Sequence, residues 1–544
     1  MTRPFVSSKK VGRWTLLAAG LSVLAVSLAC RTQSRPENFL LITLDTQRAD
    51  YISAYEPGKA ATPNIDLLAR EGTLYRNAYG LIPITLPSHA SLFFSEPPHV
   101  IKNYNNGQAI TAKRISPSFV NLFRKMGFAT AAFISLGVLK ASFGLDQGFE
   151  EYGDDFPPDR WYLSAGEVNQ RVFPWLEKNG GRPFFLWVHY SDPHDPYAPP
   201  DSPQDFRLFL NGRLVIETSL QKYTLNQAVL DLEPGRNRLR IEFQNEFDSD
   251  PDHYHGRLDR LDFDPEPDPQ SYQLDFRRGW YIRESDQVSF FKNNCLIDIR
   301  NHGGPKQVKI TFRGTPTLTP QAASIGYRRE VEYMDGEVGK LWEKLRKRRI
   351  FDKTAILLVG DHGEGLGEHR TESGNPHLGH IHYLYDTYLR VPLIIRNPSQ
   401  PQKGIVREEY VTLLDIAPTF AAMAGIKPLI HFQGKNLLRL KKKELTIIFE
   451  ETYRPEASKD RFGLLAPPWH LILTAQDDKS ELYNIERDPE EKANLWDGGD
   501  APSEVIPLKQ KLEEFARDIL SGKQEAQKID DETKELLRAL GYIR

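Results

Sequence analysis

Five short apolar runs constrain the fold of this chain more than any other feature. They cover residues 39–44, 129–134, 184–188, 355–359 and 391–395. A continuous run of this length predicts a strand buried on both faces, as in a parallel sheet. Helical patterns separate the runs, and two of these helices are predicted to start at Thr62 and Ser116 and to end at Gly72 and Gly127. This order of elements predicts an α/β fold with a doubly wound parallel sheet.

Polar side chains follow three of these runs where each predicted strand ends. Asp45 directly follows the first run, His189 follows the third, and Asp361 follows the fourth after one glycine. Ligands of such sheets bind outside the carboxyl ends of the strands, which meet at one edge. The sequence therefore predicts a functional site at this edge.

The residues at these strand ends have the chemistry of a metal site. Asp45, Asp361 and the adjacent His362 supply two carboxylates and an imidazole, which suit one divalent ion such as Mn²⁺, Mg²⁺, Ca²⁺ or Zn²⁺. Thr85 precedes a stretch with helix spacing at 86–94, where free N–H groups favour an anion. From the residues alone, Thr85 is either a nucleophile and metal ligand or an ordinary N-cap.

The region from 203 to 315 breaks the α/β pattern. Four segments alternate apolar and polar residues between Asn-Gly, Pro-Gly and Gly-Gly turns, at 206–210, 229–232, 239–243 and 308–312. This pattern predicts an inserted antiparallel β module. Its acidic and Pro-rich middle, residues 248–270, is predicted to be a solvated loop. The insert divides the catalytic domain into residues 39–202 and 316–440.

The α/β pattern returns after the insert and then changes again near the C-terminus. Helices are predicted at 324–346 and 413–424. Strands are predicted at 444–451, 470–474 and 481–485, so residues 441–544 are assigned to a small C-terminal α+β subdomain.

The first 30 residues predict export. Basic residues precede an apolar run at 14–29 that ends at Cys30, which is typical of a lipoprotein signal. An uncleaved anchor and a plain cleaved signal are the alternatives, and residues 31–38 would be a tether. All three place the catalytic part outside the cytoplasm, held at the membrane in the first two. The other cysteine, Cys295, is predicted to be buried, and the net charge of −3 gives no indication of a nucleic-acid partner.

Seven ordered motifs resemble those of the sulfatase family, within the alkaline phosphatase superfamily. They lie at residues 45–50, 85–92, 189–197, 361–369, 380–393, 481–495 and 540–542. The resemblance implies an alkaline-phosphatase-like fold and a metal-dependent ester hydrolase. It leaves the β insert unmatched.

The nucleophile motif departs from the sulfatase pattern at two positions. Thr85 replaces the Cys or Ser that sulfatases oxidise to formylglycine, and His89 replaces an Arg. The β-carbon of Thr85 already bears a methyl group, so no formylglycine is expected. A covalent phospho- or sulfo-threonine is expected instead. His89 is predicted to orient Thr85 or lend positive charge, the alternative being a helix-surface residue.

The resemblance assigns further residues to the site. His194 contacts the transferred group, and His380 protonates the leaving group, with His382 as its fallback and as a substrate-binding residue. Gln47 and Arg48 are predicted to bind substrate. A second metal site, formed by Asp192, His194 and His380, is the alternative use of those residues.

Three functions fit these motifs. The first is an exported hydrolase of small-molecule or glycan sulfate or phosphate esters. The second is a phosphoethanolamine-type transferase acting on envelope glycans. The third is a non-catalytic family member whose insert binds glycan.

Overall fold

The computed structural model describes most of the chain, and every structural statement below concerns that part. The described residues are 35–110, 117–157, 160–200, 205–219, 225–244, 256–277, 280–283, 288–291, 294–316, 319–400, 402–427, 432–440, 446–453, 459–477, 479–496 and 502–522. The predicted lipoprotein segment with Cys30 and the motif at 540–542 lie outside these residues. No helix in the described ranges is long and apolar enough to span a membrane.

The elements follow the α/β order in the catalytic part and an all-β order in the insert. The strands are β1 (Asn38–Leu44), β2 (Thr73–Tyr79), β3 (Ala129–Phe133), β4 (Glu151–Gly153), β5 (Phe184–Tyr190), β6 (Asp205–Leu210), β7 (Arg213–Ser219), β8 (Leu225–Asp231), β9 (Gly235–Gln244), β10 (Gly256–Asp264), β11 (Tyr272–Phe276), β12 (Trp280–Arg283), β13 (Val288–Phe291), β14 (Asn294–Asn301), β15 (Gln307–Pro316), β16 (Thr354–Gly360), β17 (Gly365–Arg370), β18 (Pro376–Gly379), β19 (Arg390–Arg396), β20 (Ile405–Thr412), β21 (Ile448–Thr452), β22 (Arg461–Ala466), β23 (Trp469–Thr474) and β24 (Lys479–Asn484). The helices are α1 (Pro63–Glu71), α2 (Thr85–Phe94), α3 (Pro98–Ile101), α4 (Val120–Lys125), α5 (Ala165–Asn179), α6 (Pro320–Lys347), α7 (Asp386–Leu389), α8 (Ile416–Ala424) and α9 (Ile506–Gly522).

The central sheet has eight strands in the order β20-β2-β19-β16-β1-β5-β3-β4. Strands β16, β1 and β5 lie side by side and run parallel, which places their carboxyl ends at one edge. The prediction of a parallel strand at 391–395 is wrong, because β19 runs antiparallel to both β16 and β2. The chain leaves β16 at its carboxyl end, forms the β17–β18 hairpin and re-enters the sheet without a crossover helix, which only an antiparallel strand permits.

Successive residues of the central strands face two separate cores, as expected for a sheet covered on both sides. In β1, Phe39 and Leu41 face one core and Leu40 and Ile42 face the other. Helices α1, α5 and α6 pack on one side, and α2 and α8 pack on the other. The predicted α/β fold is confirmed, with a mixed rather than wholly parallel sheet.

The two helix-start signals have different outcomes. Helix α1 begins at Pro63 and is closed by Gly72, as predicted. Helix α4 begins only at Val120, whose N–H donates to the Ser118 hydroxyl at 3.3 Å. Ser116 lies outside the described residues.

The insert consists of two five-stranded antiparallel sheets, in the orders β12-β13-β10-β15-β8 and β11-β14-β9-β6-β7. A separate core of apolar residues contributed by both sheets includes the buried Cys295. The four predicted strands are present. The prediction of a loop throughout 248–270 is wrong, because β10 occupies 256–264 and pairs with β15.

The C-terminal part forms a four-stranded antiparallel sheet of β21 to β24, against which α9 packs. Strands β21, β23 and β24 match the three predicted segments with shifted bounds. Strand β22 and α9 were not predicted. Side chains of this sheet also pack on the segment that contains α7, which joins the subdomain to the catalytic domain.

Candidate active site

The three side chains predicted to bind a metal form one buried cluster. Asp45 follows β1, and Asp361 and His362 follow β16. One potential ligand atom from each of these residues lies within 4.8 Å of the other two, and all three side chains are buried. Within the described ranges, this is the group that satisfies the spacing of a metal site.

Each of the two carboxylates has one oxygen that accepts no described hydrogen bond. Oδ1 of Asp361 accepts the backbone N–H of Thr46 at 3.1 Å and that of His362 at 2.8 Å. Oδ2 of Asp361 and Oδ1 of Asp45 have no hydrogen-bond partner in the described part of the chain. Buried carboxylate oxygens without donors are costly unless a cation binds them, so the cluster fits a divalent ion.

The pKa values of the cluster also favour a bound cation. Burial and the neighbouring carboxylate of Asp45 raise the pKa of Asp361 well above its ordinary value. Burial alone would raise the pKa of Asp45, but the hydrogen bond from His189 and the nearby imidazoles of His194 and His362 lower it by more. Burial lowers the pKa of His362 to about 4, so this imidazole is neutral near pH 7. The group has two acids and no cationic side chain, and a bound cation would remove the repulsion.

Thr85 lies beside this cluster. Nδ1 of His362 donates to the Gly363 carbonyl at 3.0 Å, which leaves a lone pair on Nε2. The Thr85 hydroxyl lies 3.3 Å from this Nε2 and donates to it. Thr85 is therefore adjacent to the predicted metal ligands. The N-cap alternative is wrong, because α2 begins at Thr85 and Ile84 holds the cap position.

In the first turn of α2, the three positions after Thr85 do not offer the anion the free N–H groups that were predicted. The Leu86 N–H donates to Oδ1 of Asn106 at 2.8 Å, and Pro87 has no N–H. The Ser88 N–H donates to the Ile84 carbonyl at 3.0 Å. These three positions have no N–H left for a substrate.

His89 lies inside the protein and ties α2 to the metal cluster. Its side chain is fully buried, so the helix-surface alternative is wrong. Nδ1 donates to the Thr85 carbonyl at 2.8 Å and lies 3.5 Å from Oδ2 of Asp361. Burial and nearby His189 lower its pKa to about 3, so His89 does not supply the positive charge of the Arg that it replaces.

His189, which the sequence predicted at this edge without a specific role, takes part in this site. The Ser135 N–H donates to Nδ1 of His189 at 3.3 Å, which places the ring proton on Nε2. That N–H then donates to Oδ2 of Asp45 at 3.2 Å. A hydrogen bond of this kind, made to a carboxylate that binds a metal ion, fixes the orientation of that carboxylate. The available signal was its position directly after the apolar part of β5.

His194 and His380 face each other on another side of the cluster. Their ring centroids lie 5.0 Å apart, and the His380 ring lies 4.5 Å from that of His362. Nδ1 of His380 lies 3.3 Å from Oε2 of Glu364, a buried carboxylate that the sequence analysis did not single out. Burial and the neighbouring His362 lower the pKa of His380 well below its ordinary value. Both predicted histidines are thus gathered near Thr85.

The C-terminal subdomain holds the segment that carries His380. The Thr452 hydroxyl donates to the carbonyl of Ile381, a β-branched residue with a positive φ of 85°. Nη1 of Arg461 donates to the His382 carbonyl at 2.7 Å, and the Asp386 N–H donates to Oε2 of Glu491 at 2.5 Å. The strained backbone at Ile381 is therefore stabilised from outside the catalytic domain.

Three other predicted residues make contacts within the protein. The Arg48 guanidinium donates to both oxygens of Asp50 and to Glu368, so its ion pairs are within the protein. Nε2 of Gln47 donates to the Arg48 carbonyl at 2.8 Å. The His382 ring contacts those of His377 and Tyr383. Substrate binding by Gln47, Arg48 and His382 remains a prediction.

The second metal site predicted as an alternative is not formed in the described residues. Both oxygens of Asp192 accept the Ala165 N–H at 3.1 Å, at the start of α5. Nδ1 of His194 donates to the Asp195 carbonyl at 2.6 Å. Asp192 therefore stabilises a helix N-terminus.

Comparison with known proteins gives a consistent result for nearly the whole chain. The family model described as Sulfatase matches residues 37–426, and the model described as N-sulphoglucosamine sulphohydrolase, C-terminal, matches residues 379–518. The chain is 23% identical to an N-acetylglucosamine-6-O-sulfatase of Bacteroides thetaiotaomicron, over 94% of this chain and 92% of the relative. It is 24% identical to the human N-sulphoglucosamine sulphohydrolase, over 77% of this chain and 68% of the relative.

Solved structures show the same fold. A protein solved in complex with its substrate D-glucosamine-2-N,6-O-disulfate has a TM-score of 0.60 and 18% identity, and the match covers 91% of this chain and all of that chain. The phosphonate monoester hydrolase of Agrobacterium radiobacter has a TM-score of 0.58 and 16% identity, over 90% of this chain and 96% of that chain.

Proposed function

Since the chain belongs to the sulfatase family of ester hydrolases, we propose that Thr85 is its nucleophile and that Asp45, Asp361 and His362 hold its divalent metal ion. The observation that carries the proposal is the 3.3 Å contact between the Thr85 hydroxyl and Nε2 of His362, beside two carboxylate oxygens without donors. When bound, the ion would supply positive charge that polarises the ester and stabilises the charge of the transition state.

The reaction proceeds through a covalent ester of Thr85. The hydroxyl gives its proton to solvent water, Oγ forms a bond to sulfur or phosphorus, and the bond to the leaving oxygen breaks. We assign contact with the transferred group to His194 and protonation of the leaving oxygen to His380, whose low pKa must rise when the anionic substrate binds beside it. Water then attacks sulfur or phosphorus, the bond to Oγ breaks, and Thr85 regains its proton. His89 holds the Thr85 backbone through the carbonyl during both steps.

The substrate is a sulfate or phosphate ester of a glycan or small molecule. The relatives named for amino-sugar sulfates favour the sulfate ester, and the Agrobacterium neighbour named for phosphonate monoesters favours a phosphorus centre. Thr85 in place of Cys or Ser adds to the second argument, because Thr nucleophiles are typical of the phosphodiesterases and nucleotide pyrophosphatases of the superfamily. The natural substrate is thus assigned to a class of esters and not to one compound.

Export is the remaining part of the proposal. The basic residues, the apolar run at 14–29 and Cys30 support a lipoprotein held at the membrane outside the cytoplasm. Fractionation with a Cys30→Ala variant tests it. Release of the variant into the soluble extracytoplasmic fraction supports the anchor, and an unchanged membrane fraction contradicts lipidation.

The test of the nucleophile compares two hydroxyls of the same helix. Thr85→Ala is expected to lower the hydrolysis of an aryl sulfate, aryl phosphate or aryl phosphodiester by about 10³-fold or more, because no other group replaces the nucleophile. Thr85→Ser should keep much of the rate. Ser91→Ala is the matched control, since Ser91 is a buried hydroxyl on α2 without a described partner, and it should behave as wild type.

Mass spectrometry of the peptide that contains Thr85 gives a second readout. A phosphate or sulfate trapped there after rapid quenching supports the direct nucleophile. Turnover by Thr85→Ala at the wild-type rate, or an oxidised Thr85, contradicts it. Transfer of the group to an added alcohol in preference to water favours the transferase alternative. No turnover of any ester, with glycan binding intact in Thr85→Ala, favours the non-catalytic alternative.

A further inference from the structure

The insert contains an arginine-rich surface that the hydrolytic site does not use. Strand β9 alternates, so that Asn237, Leu239 and Ile241 are buried. The residues between them therefore project from the other side of the sheet. The strand register places residues of β14 and β11 beside these outward residues of β9. We call the outward side the arginine face, and its basic residues are Arg236, Arg238, Arg240, Arg277 and Arg300.

A single carboxylate organises the centre of this face. Asp298 accepts from Nη2 of Arg236 at 2.5 Å, from Nε of Arg238 at 3.2 Å and from Nε of Arg277 at 3.3 Å. The three arginine side chains remain 60%, 51% and 46% exposed, whereas that of Asp298 is 2% exposed. The carboxylate thus lies beneath three guanidinium groups. It holds them in place while they face solvent.

These guanidinium groups keep donors for a ligand. The terminal nitrogens of Arg238 have no described partner, and Arg300 makes no described ion pair. The two other carboxylates of the face are Asp275, paired with Arg277, and Glu242, paired with Arg240. On β9, β11 and β14, five arginines therefore face three carboxylates, which leaves two positive charges in excess, and on the neighbouring β6 and β7 Arg207 pairs with Glu217.

The opposite sheet provides the contrast. Among the residues whose side chains are described, its outward side carries Arg260, Lys309 and Arg313 together with Asp231, Asp262 and Asp264, so these charges balance. The whole chain carries a net charge of −3. The excess positive charge is therefore a local property of one face, and it does not follow from the composition of the chain.

We propose that the arginine face binds a linear sulfated polysaccharide. Alternate residues of a strand are about 6.8 Å apart, so Arg236, Arg238 and Arg240 form a regular row that suits repeated anionic groups better than one small anion. Planar guanidinium groups match the oxygens of a sulfate in pairs. The choice of a sulfated chain over another polyanion rests on the proposed function, because the same protein would then hold the polymer whose esters it cleaves.

The test measures binding and hydrolysis separately in the whole protein. Dextran sulfate is the probe, and unsulfated dextran is its neutral control. Wild type is expected to bind dextran sulfate and not dextran, and binding should weaken with salt. Arg236→Gln with Arg238→Gln should weaken binding by about tenfold. The matched control, Arg260→Gln with Lys309→Gln, removes the same charge from the opposite sheet and should change binding by less than about twofold.

Hydrolysis of a small aryl ester distinguishes the two proposals. Both double variants should keep the wild-type rate on this ester, since no residue of either face belongs to the catalytic site. Binding without hydrolysis in wild type would contradict the proposed function and leave the arginine face supported. Hydrolysis without binding would contradict the role of the arginine face and leave the proposed function supported.

Three further results would overturn the inference. They are equal binding of dextran and dextran sulfate, equal loss in the two double variants, and competition by duplex DNA or polyglutamate as strong as that by dextran sulfate. Should the double variant of β9 unfold, Arg300→Gln tests the same face, because its side chain makes no described contact with Asp298. It should weaken binding without changing the unfolding temperature.

Discussion

Two buried clusters in this protein each hold two carboxylates next to a histidine, and they differ in where the imidazole of that histidine lies. At the catalytic edge, Asp45 and Asp361 both lie beside His362. In the C-terminal part, His470 lies between its two acids, with Nδ1 2.5 Å from Oε1 of Glu491 and Nε2 2.8 Å from Oε2 of Glu450.

The position of the imidazole decides its charge. Burial lowers the pKa of His470, but the two carboxylates raise it by more, to well above its ordinary value. This cluster therefore contains its own cation. His362 instead donates from Nδ1 to a carbonyl and stays neutral, so it does not compensate the negative charge of the two acids beside it. The same two kinds of side chain thus form an internal ion pair in one place and, in the other, a group that could bind an external cation.

The largest expected difference between the clusters is in activity. Asp361→Asn keeps an oxygen for the N–H groups of Thr46 and His362 but removes a charge from the metal site. We expect the rate of ester hydrolysis to fall by at least about 10³-fold, because the stabilisation from the cation is lost. The unfolding temperature measured with a chelator should not fall, since a repulsive contact is removed.

Asp335→Asn is the control for that variant. Asp335 is also buried, but it accepts the N–H groups of Asn64 and Ile65 at the start of α1, away from the cluster. It should keep the wild-type rate at low temperature. A wild-type rate in Asp361→Asn would contradict the metal assignment.

The next effect is on stability in the C-terminal cluster. His470→Gln removes the buried imidazolium and leaves two carboxylates without their donor. The free energy of unfolding in urea should fall by about 3 kcal/mol or more. Divalent ions should not restore it. A loss of less than about 1 kcal/mol would show that His470 is not the charged partner of these acids.

The pH dependence provides a second readout of the same variant. Because the folded pKa of His470 is raised, its contribution is complete below the unfolded value of about 6.5 and is lost as pH rises through the folded value. Wild type should therefore lose stability toward alkaline pH more steeply than His470→Gln. Parallel curves of unfolding temperature against pH would contradict this assignment.

A smaller effect is expected from adding the cation itself. An ion that binds only the folded protein should raise the free energy of unfolding by about 2.7 kcal/mol at 100 times its dissociation constant. The rise should be present in His470→Gln and absent in Asp361→Asn. Thermal unfolding with and without a chelator measures it, and an equal rise in both variants would place the ion elsewhere.

The smallest expected effect comes from Ser135, which acts on Asp45 through His189. Ser135→Ala keeps the backbone N–H and removes the 2.7 Å hydroxyl contact with Nδ1. We expect the metal affinity to fall about 10-fold, which is the low end of the range for residues that orient a metal ligand. Metal titration of the activity measures it, and Ser91→Ala again serves as control. An unchanged affinity would limit the role of His189 to packing.

The acids of the catalytic cluster could be predicted from the sequence because they follow buried strands closely. An apolar run fixes the strand, and the strand fixes the edge at which Asp45 and Asp361 emerge. The same reasoning found the four strands of the insert that alternate cleanly. It missed β10, since the acidic and Pro-rich composition of 248–270 hides the alternation that the pairing with β15 requires.

Other features depended on packing that the local sequence does not encode. His89 could have faced solvent or the core, and only the sheet beneath α2 places it against Asp361. Glu450, His470 and Glu491 are distant in sequence, and two strands and a loop bring them together. The antiparallel direction of β19 depends on whether the chain crosses the sheet after β16.

The sequence by itself therefore determined the family, the α/β fold and the acids at the strand ends, because local periodicity and ordered motifs carry that information. The tertiary structure decided which imidazole is charged and which is neutral. A histidine between two buried carboxylates keeps its proton, and a histidine whose N–H is bound to a carbonyl offers a lone pair. That choice depends on distances between residues far apart in the chain, and it is what separates a structural ion pair from a metal site.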